Sequence, residues 1–209
     1  MATRTVRTAT ITITSLLLLG CSPHHGAPIA LIPSDHAQVA VAARDAFVAN
    51  DGAVATSKLA TLGAMNLGLP TADADVAGSL GRIVVACGTC HVRAGVSLNP
   101  ATAWAVQGDG VAPEMERHGQ GLDQIWSGLV RDNAADLTLG AQTLRQSQLF
   151  VSLTPTPGAE AMDESVSMLA DKIVAARNET EAGAAFADLI RACAACHAAR
   201  PAGLELGPE

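Results

Sequence analysis

The apolar residues of this chain recur three and four positions apart. Leu80, Ile83, Val84 and Cys87 fall at i, i+3, i+4 and i+7, and so do Phe186, Leu189, Ile190 and Cys193. That is the spacing of an amphipathic helix with one apolar face. The same period predicts helices near 35–49, 54–66 and 73–91, and again near 114–131, 134–148, 162–177 and 181–197. Nothing alternates with period two for long, so the expected fold class is all-α, with no sheet. Gly68-Leu69-Pro70 and Pro155-Thr156-Pro157-Gly158 interrupt the helical pattern within each half.

The two halves repeat. The series from Leu80 matches the series from Phe186 with an offset of 106 residues. Further upstream, His36, Gln38, Phe47 and Val48 match His118, Gln120, Leu129 and Val130 with an offset of 82. Both upstream segments read as a helix that stops at a polar pair, Asn50-Asp51 or Asp132-Asn133. The two offsets differ by about one helix plus a turn, so the second copy is expected to hold one helix more than the first. The organisation expected is a leader at 1–20, a tether at 21–33, a three-helix first module at 34–95 and a linker at 96–112. A four-helix second module at 113–201 and a tail at 202–209 follow.

Composition changes the picture in two ways. The chain is 49% hydrophobic but only 2% aromatic, and its apolar share is largely alanine, a good helix former. So few large side chains suggest helices wrapped around something other than their own residues. Acids exceed bases, 20 to 13, which argues against a nucleic-acid partner, because phosphates need a basic face. No P-loop and no G-x-G-x-x-G after a strand pattern points to nucleotide chemistry.

The N-terminus reads as an export signal. Arg4 and Arg7 precede a short apolar run ending Leu18-Leu19-Gly20-Cys21, too short and too threonine-rich to span a bilayer. Its end resembles the lipobox of bacterial lipoproteins. That resemblance implies that Cys21 is lipidated, becomes the mature N-terminus and anchors the chain on the periplasmic side of a bacterial membrane. Residues 22–33, with Pro23, Pro28 and Pro33, read as the tether.

The remaining cysteines form Cys87-Gly88-Thr89-Cys90-His91 and Cys193-Ala194-Ala195-Cys196-His197. C-x-x-C-H is the attachment motif of c-type haem. On a helix, positions i, i+3 and i+4 share a face, so two thiols can add to the two vinyl groups of one porphyrin edge while the histidine reaches the iron. Disulfides, or one zinc held by all four thiolates, are the plainer readings; neither requires a histidine at the same offset twice. Two covalently bound c-type haems are therefore expected, with His91 and His197 as proximal iron ligands. His24 and His25 fall in the tether, which leaves His36 and His118 as distal candidates at matching places in the two copies. The competing reading of these two is that of polar residues near helix starts.

Four helices with C-x-x-C-H near the end of the last give residues 113–200 a resemblance to the cytochrome c-prime family, which residues 34–93 share in shortened form. The resemblance implies a four-helix bundle with the haem on its C-terminal helix. The first-helix histidine departs from it, because relatives carry an apolar residue or methionine facing the iron. Their five-coordinate, gas-binding behaviour is therefore not carried over. Arg200 stands near the place of the family's basic residue beside the haem.

Other residues have plainer readings. Met65, Met115, Met162 and Met168 are possible iron ligands but suit core filling. Trp104 and Trp126 could cover a haem edge or simply pack. The function expected is a membrane-tethered carrier of single electrons between redox partner proteins, holding two haems close together. The alternatives are a haem-based small-gas or redox sensor and a small dihaem peroxidase. Both need an open iron face.

Overall fold

The computed structural model describes residues 35–71, 74–101, 103–108, 110–147 and 159–199. Among them the chain is all-α. Seven helices follow in order: α1 (His36–Val48), α2 (Gly52–Ala64), α3 (Val76–Ala94), α4 (Val111–Arg131), α5 (Ala134–Gln146), α6 (Ala159–Val174) and α7 (Glu179–Ala198). All of them belong to one unit, Ile32–Glu209. The leader, Cys21, the tether and Arg200 lie outside the described residues.

Local chemistry sets the helix ends. Asp51 caps α2 by accepting from Val54 N at 3.0 Å, and Asp75 caps α3 by accepting from Gly78 N at 3.1 Å. Asn133 accepts from Ala135 N and Asp136 N at the start of α5, and Asn178 from Glu181 N at the start of α7. Each side chain satisfies backbone N–H groups that the helix itself leaves unbonded.

The two polar pairs do the same double work. Asn50 and Asp132 take left-handed backbone at φ 63° and 51°, which Asn and Asp tolerate better than most residues. Asp51 N then bonds Ala46 O and Asn133 N bonds Gly128 O, both at 2.8 Å, closing α1 and α4 in the same way. The second member of each pair caps the next helix. The α1–α2 and α4–α5 hairpins are thus closed by the same device at positions 82 residues apart.

Three helix starts differ from expectation by three residues: α3 begins at Val76 rather than near 73, α6 at Ala159 rather than near 162, and α4 at Val111 rather than near 114. His118 therefore sits two turns inside its helix, whereas His36 opens α1. Gly110, at φ 120°, turns the chain into the helix, and Pro113 falls in the first turn, where its missing N–H would have had no partner.

The core forms where the two motif helices meet. Leu80, Ile83 and Val84 of α3 and Phe186, Leu189 and Ile190 of α7 are all fully buried. α3 and α7 pack side by side, and α4 and α1 also lie against α3. Arg191 near the end of α7 pairs with Asp75 at the start of α3 at 2.6 Å, and Thr89 near the end of α3 donates to Glu179 at the start of α7 at 2.8 Å. The pair is therefore antiparallel. At its crossing Gly81 faces Gly183, and a Cβ on Gly183 would lie 2.7 Å from Gly81 O. Helix backbones touching through glycine supply part of what large side chains would otherwise supply. The scarcity of aromatics thus has a second explanation beside an internal group: the helices come close enough to need less filling.

Candidate functional site

The last turns of α3 carry Cys87, Cys90 and His91. Cys87 is buried, Cys90 exposed and His91 half-buried. Burial pushes the Cys87 thiol up to about 11, with the neighbouring Cys90 adding to the rise. Gly88 lies between them against the Leu129 carbonyl of α4, a contact that leaves no room for a side chain.

His91 hydrogen-bonds the Val130 carbonyl, while its Nδ1 is buried with no hydrogen-bond partner. Burial holds its pKa below the usual histidine value, the Val130 bond opposes that, and the charge of His36 lowers it further. The His36 ring, at the start of α1, stands beside it: the centroids are 6.1 Å apart and the planes inclined by 60°. α1 reaches this place because it packs against α3 with its N-terminus at the C-terminal end of α3.

The second motif lies at the other end of the helix pair. Cys193, Cys196 and His197 occupy the last turns of α7 and are half-buried as residues. The Cys193 thiol is nonetheless set into the protein. Burial pushes it up to about 12, Cys196 adds to this, and a backbone hydrogen bond and then Arg44 of α1 oppose it. His118 Nε2 donates to the Ser147 carbonyl at 2.9 Å, at the buried end of α5. None of the four described cysteines is in a disulfide.

The two motifs are not side by side. Thr89 meets Glu179, and from Glu179 to Cys196 the chain climbs about 25 Å along α7 at ~1.5 Å per residue. The antiparallel α3–α7 pairing puts the two motifs at opposite ends of the helix pair. The same geometry separates the two cysteine pairs. Among the described residues no group of three or more His, Cys, Asp or Glu could hold a metal ion, so one zinc on four thiolates is not assembled.

The other candidates are placed as follows. Trp126 is buried and packs on Phe186 with centroids 5.7 Å apart; Trp104 is exposed and donates to Glu116 Oε1 at 2.6 Å. Met65 and Met115 are half-buried and Met168 is exposed; the side chain of Met162 lies outside the described residues, as do His24 and His25. Arg44 and Ser147 did not stand out in the sequence, and Val130 did so only as the counterpart of Val48. Of the first two, only Arg44 left a signal, as a lone base within the alanine- and valine-rich run of α1.

No protein-family model, no curated protein and no solved structure matches the chain. Among the described residues, no helix is long and apolar enough to cross a membrane.

Proposed function

We propose that the chain is an exported, lipid-anchored c-type cytochrome of two tandem haem modules, carrying single electrons between redox partner proteins. The observation that carries this reading is the His36–His91 pair at the end of α3, one turn from Cys87 and beside Cys90. Two imidazoles on opposite sides of one metal have ring centres roughly 6 Å apart, from a metal–nitrogen bond of about 2 Å and about 1 Å to the ring centre on each side. The 6.1 Å between the His36 and His91 ring centres suits that arrangement. The buried, unpartnered Nδ1 of His91 is a polar atom in want of a partner, as a ligating face would leave it.

In this reading Cys87 and Cys90 hold the first haem, Cys193 and Cys196 the second, and His91 and His197 are the proximal ligands. Haem iron supplies a one-electron couple. The residues of the chain hold the group, set its axial donors and exclude water. His36 would supply a second nitrogen donor at the first site and so keep small molecules from that iron. The equivalent closure of hairpins α1–α2 and α4–α5 supports the tandem organisation.

The second site supports an additional reading. His118 is its distal candidate, and it is bonded to the Ser147 carbonyl. Leaving that bond would cost about 1 kcal/mol. If His118 stays, the second iron has an open face, as a small-gas sensor or a peroxidase requires. Carbon monoxide added to the reduced protein separates the cases. A pure carrier shows no spectral shift; an open second site shows a shift at one haem. His36→Ala should add a high-spin, carbon monoxide-binding haem to whichever pattern the parent shows. Intact mass should exceed that of the polypeptide by two haems. A His36→Ala spectrum identical to the parent's refutes the His36 assignment, and a mass with no haem refutes the cytochrome reading.

A further inference from the structure

Arg44 is a buried cation with an unused edge. Its side chain is only 4% exposed. Nη2 lies 2.5 Å from Asp123 Oδ1 and 2.6 Å from Asp45 Oδ1, and Nε donates to Asp45 at 2.8 Å. The guanidinium lies over the Trp126 ring, 5.3 Å from its centroid. Nη1 is buried with no hydrogen-bond partner. A buried donor on a charged group left unpaired is costly, and a guanidinium presents its N–H groups as a fork suited to a carboxylate. Asp45 and Asp123 occupy the Nε and Nη2 edge, so the Nη1 edge is left for a third acceptor.

Its surroundings say which acceptor. Trp126 packs at a tilt against Phe186 of α7, and Phe186 stands two turns before Cys193 on the same face of that helix. α1 packs directly on α7. The Arg44 charge also eases the Cys193 thiol, so the two groups feel each other across that contact.

We propose that Arg44 Nη1 donates to a propionate carboxylate of the haem attached at Cys193 and Cys196, so that a side chain of the first module completes the second haem site. This rests on the two-haem reading above. The haem brings two carboxylates into the protein, and an arginine with a free N–H edge satisfies one of them by a charge-assisted hydrogen bond. The two modules are then functionally joined: the second haem is correctly seated only when α1 is in place.

The test uses the exported two-haem protein, grown so that the propionate carboxyl carbons of its haem carry carbon-13. Redox-difference infrared spectra and a redox titration resolved by haem are recorded for the parent, Arg44→Gln and Arg44→Lys. Each is also recorded in the Cys193→Ala/Cys196→Ala background. Arg44→Gln should move the carbon-13-sensitive carboxylate band. It should also lower the reduced-to-oxidised ratio of the second haem on the order of tenfold at fixed potential, ~59 mV for one electron. Arg44→Lys keeps the charge and most of the potential but still moves the band, because a point charge does not reproduce the fork. If Arg44→Gln does not fold, the Arg44→Lys band decides. Both effects must vanish when the second haem is absent. A lowered potential with an unmoved band, or a change confined to the first haem, overturns the propionate contact. A parent mass lacking the second haem is a different failure, that of the two-haem reading, and takes this proposal with it.

Discussion

Replacing Gly183 by alanine tests the antiparallel crossing that sets the motifs apart. The new Cβ would lie 2.7 Å from Gly81 O and 3.1 Å from Val85 Cγ2. Ordinary carbon–oxygen contacts across packed helices begin near ~3.3 Å, so α3 and α7 must separate by roughly 0.6 Å or more at this point. A gap of that size forfeits about a quarter of the contact energy of the facing atoms. Those atoms belong to Leu80, Ile83 and Val84 on one helix and Phe186, Leu189 and Ile190 on the other, all fully buried. Overpacking of this kind costs roughly 2–4 kcal/mol, against a gain of about 1 kcal/mol from replacing glycine in a helix. The net loss is ~1–3 kcal/mol, a fall in Tm of roughly 3–10 °C for a chain this long. Gly119 is the internal control. It lies within α4, and nothing stands within 4 Å of its Cβ position. Gly119→Ala should therefore raise Tm by about 2–4 °C. Thermal unfolding followed by far-UV circular dichroism measures both. A Gly183→Ala protein as stable as the parent would refute the close crossing and, with it, the placement of the two motifs at opposite ends.

Three further outcomes are expected. In the chain without attached groups, Cys90 should react with a maleimide on the order of 100-fold faster than Cys87 at pH 7, because a thiol pushed up to about 11 is almost wholly protonated there; its reactivity should grow as pH rises toward that value, and equal rates at pH 7 would contradict the burial. Asn133→Ala removes the cap that holds Ala135 N and Asp136 N and should cost about 1 kcal/mol in urea unfolding, whereas Asn133→Asp should keep most of it. Cys21→Ser should move the protein from the membrane to the soluble fraction; an unchanged distribution speaks against the lipid anchor.

Much of the architecture was readable from periodicity, and what was missed has physical reasons. Seven helices stand near their expected places because apolar spacing, polar stops and proline breaks are local signals. The pairs Asn50-Asp51 and Asp132-Asn133 announced both a stop and a start, and each does both. Val111 was missed as a start because Pro113 looks like a break, yet a proline in the first turn costs no hydrogen bond. The α3–α7 crossing was invisible because Gly81 and Gly183, taken singly, look like weak points of two helices; only their meeting gives them a purpose. Arg44 reads as a surface base until Asp123, 79 residues away, is seen to bury it. The motifs themselves needed no fold at all, since their meaning lies in covalent spacing. Their separation along α7 is a property of helix pairing, which no single segment encodes.

The pairing of α3 with α7 also has a consequence in time. α7 is the last of the described helices, and it supplies the cover for the apolar face that leads to Cys87. A chain delivered N-terminus first presents Cys87 and Cys90 long before that cover arrives, so on the two-haem proposal the first motif has a prolonged interval open to attachment. Cys193 has no such interval, because it rides on the very helix whose docking buries it. On that proposal maturation is asymmetric, unhurried at the first motif and in direct competition with folding at the second.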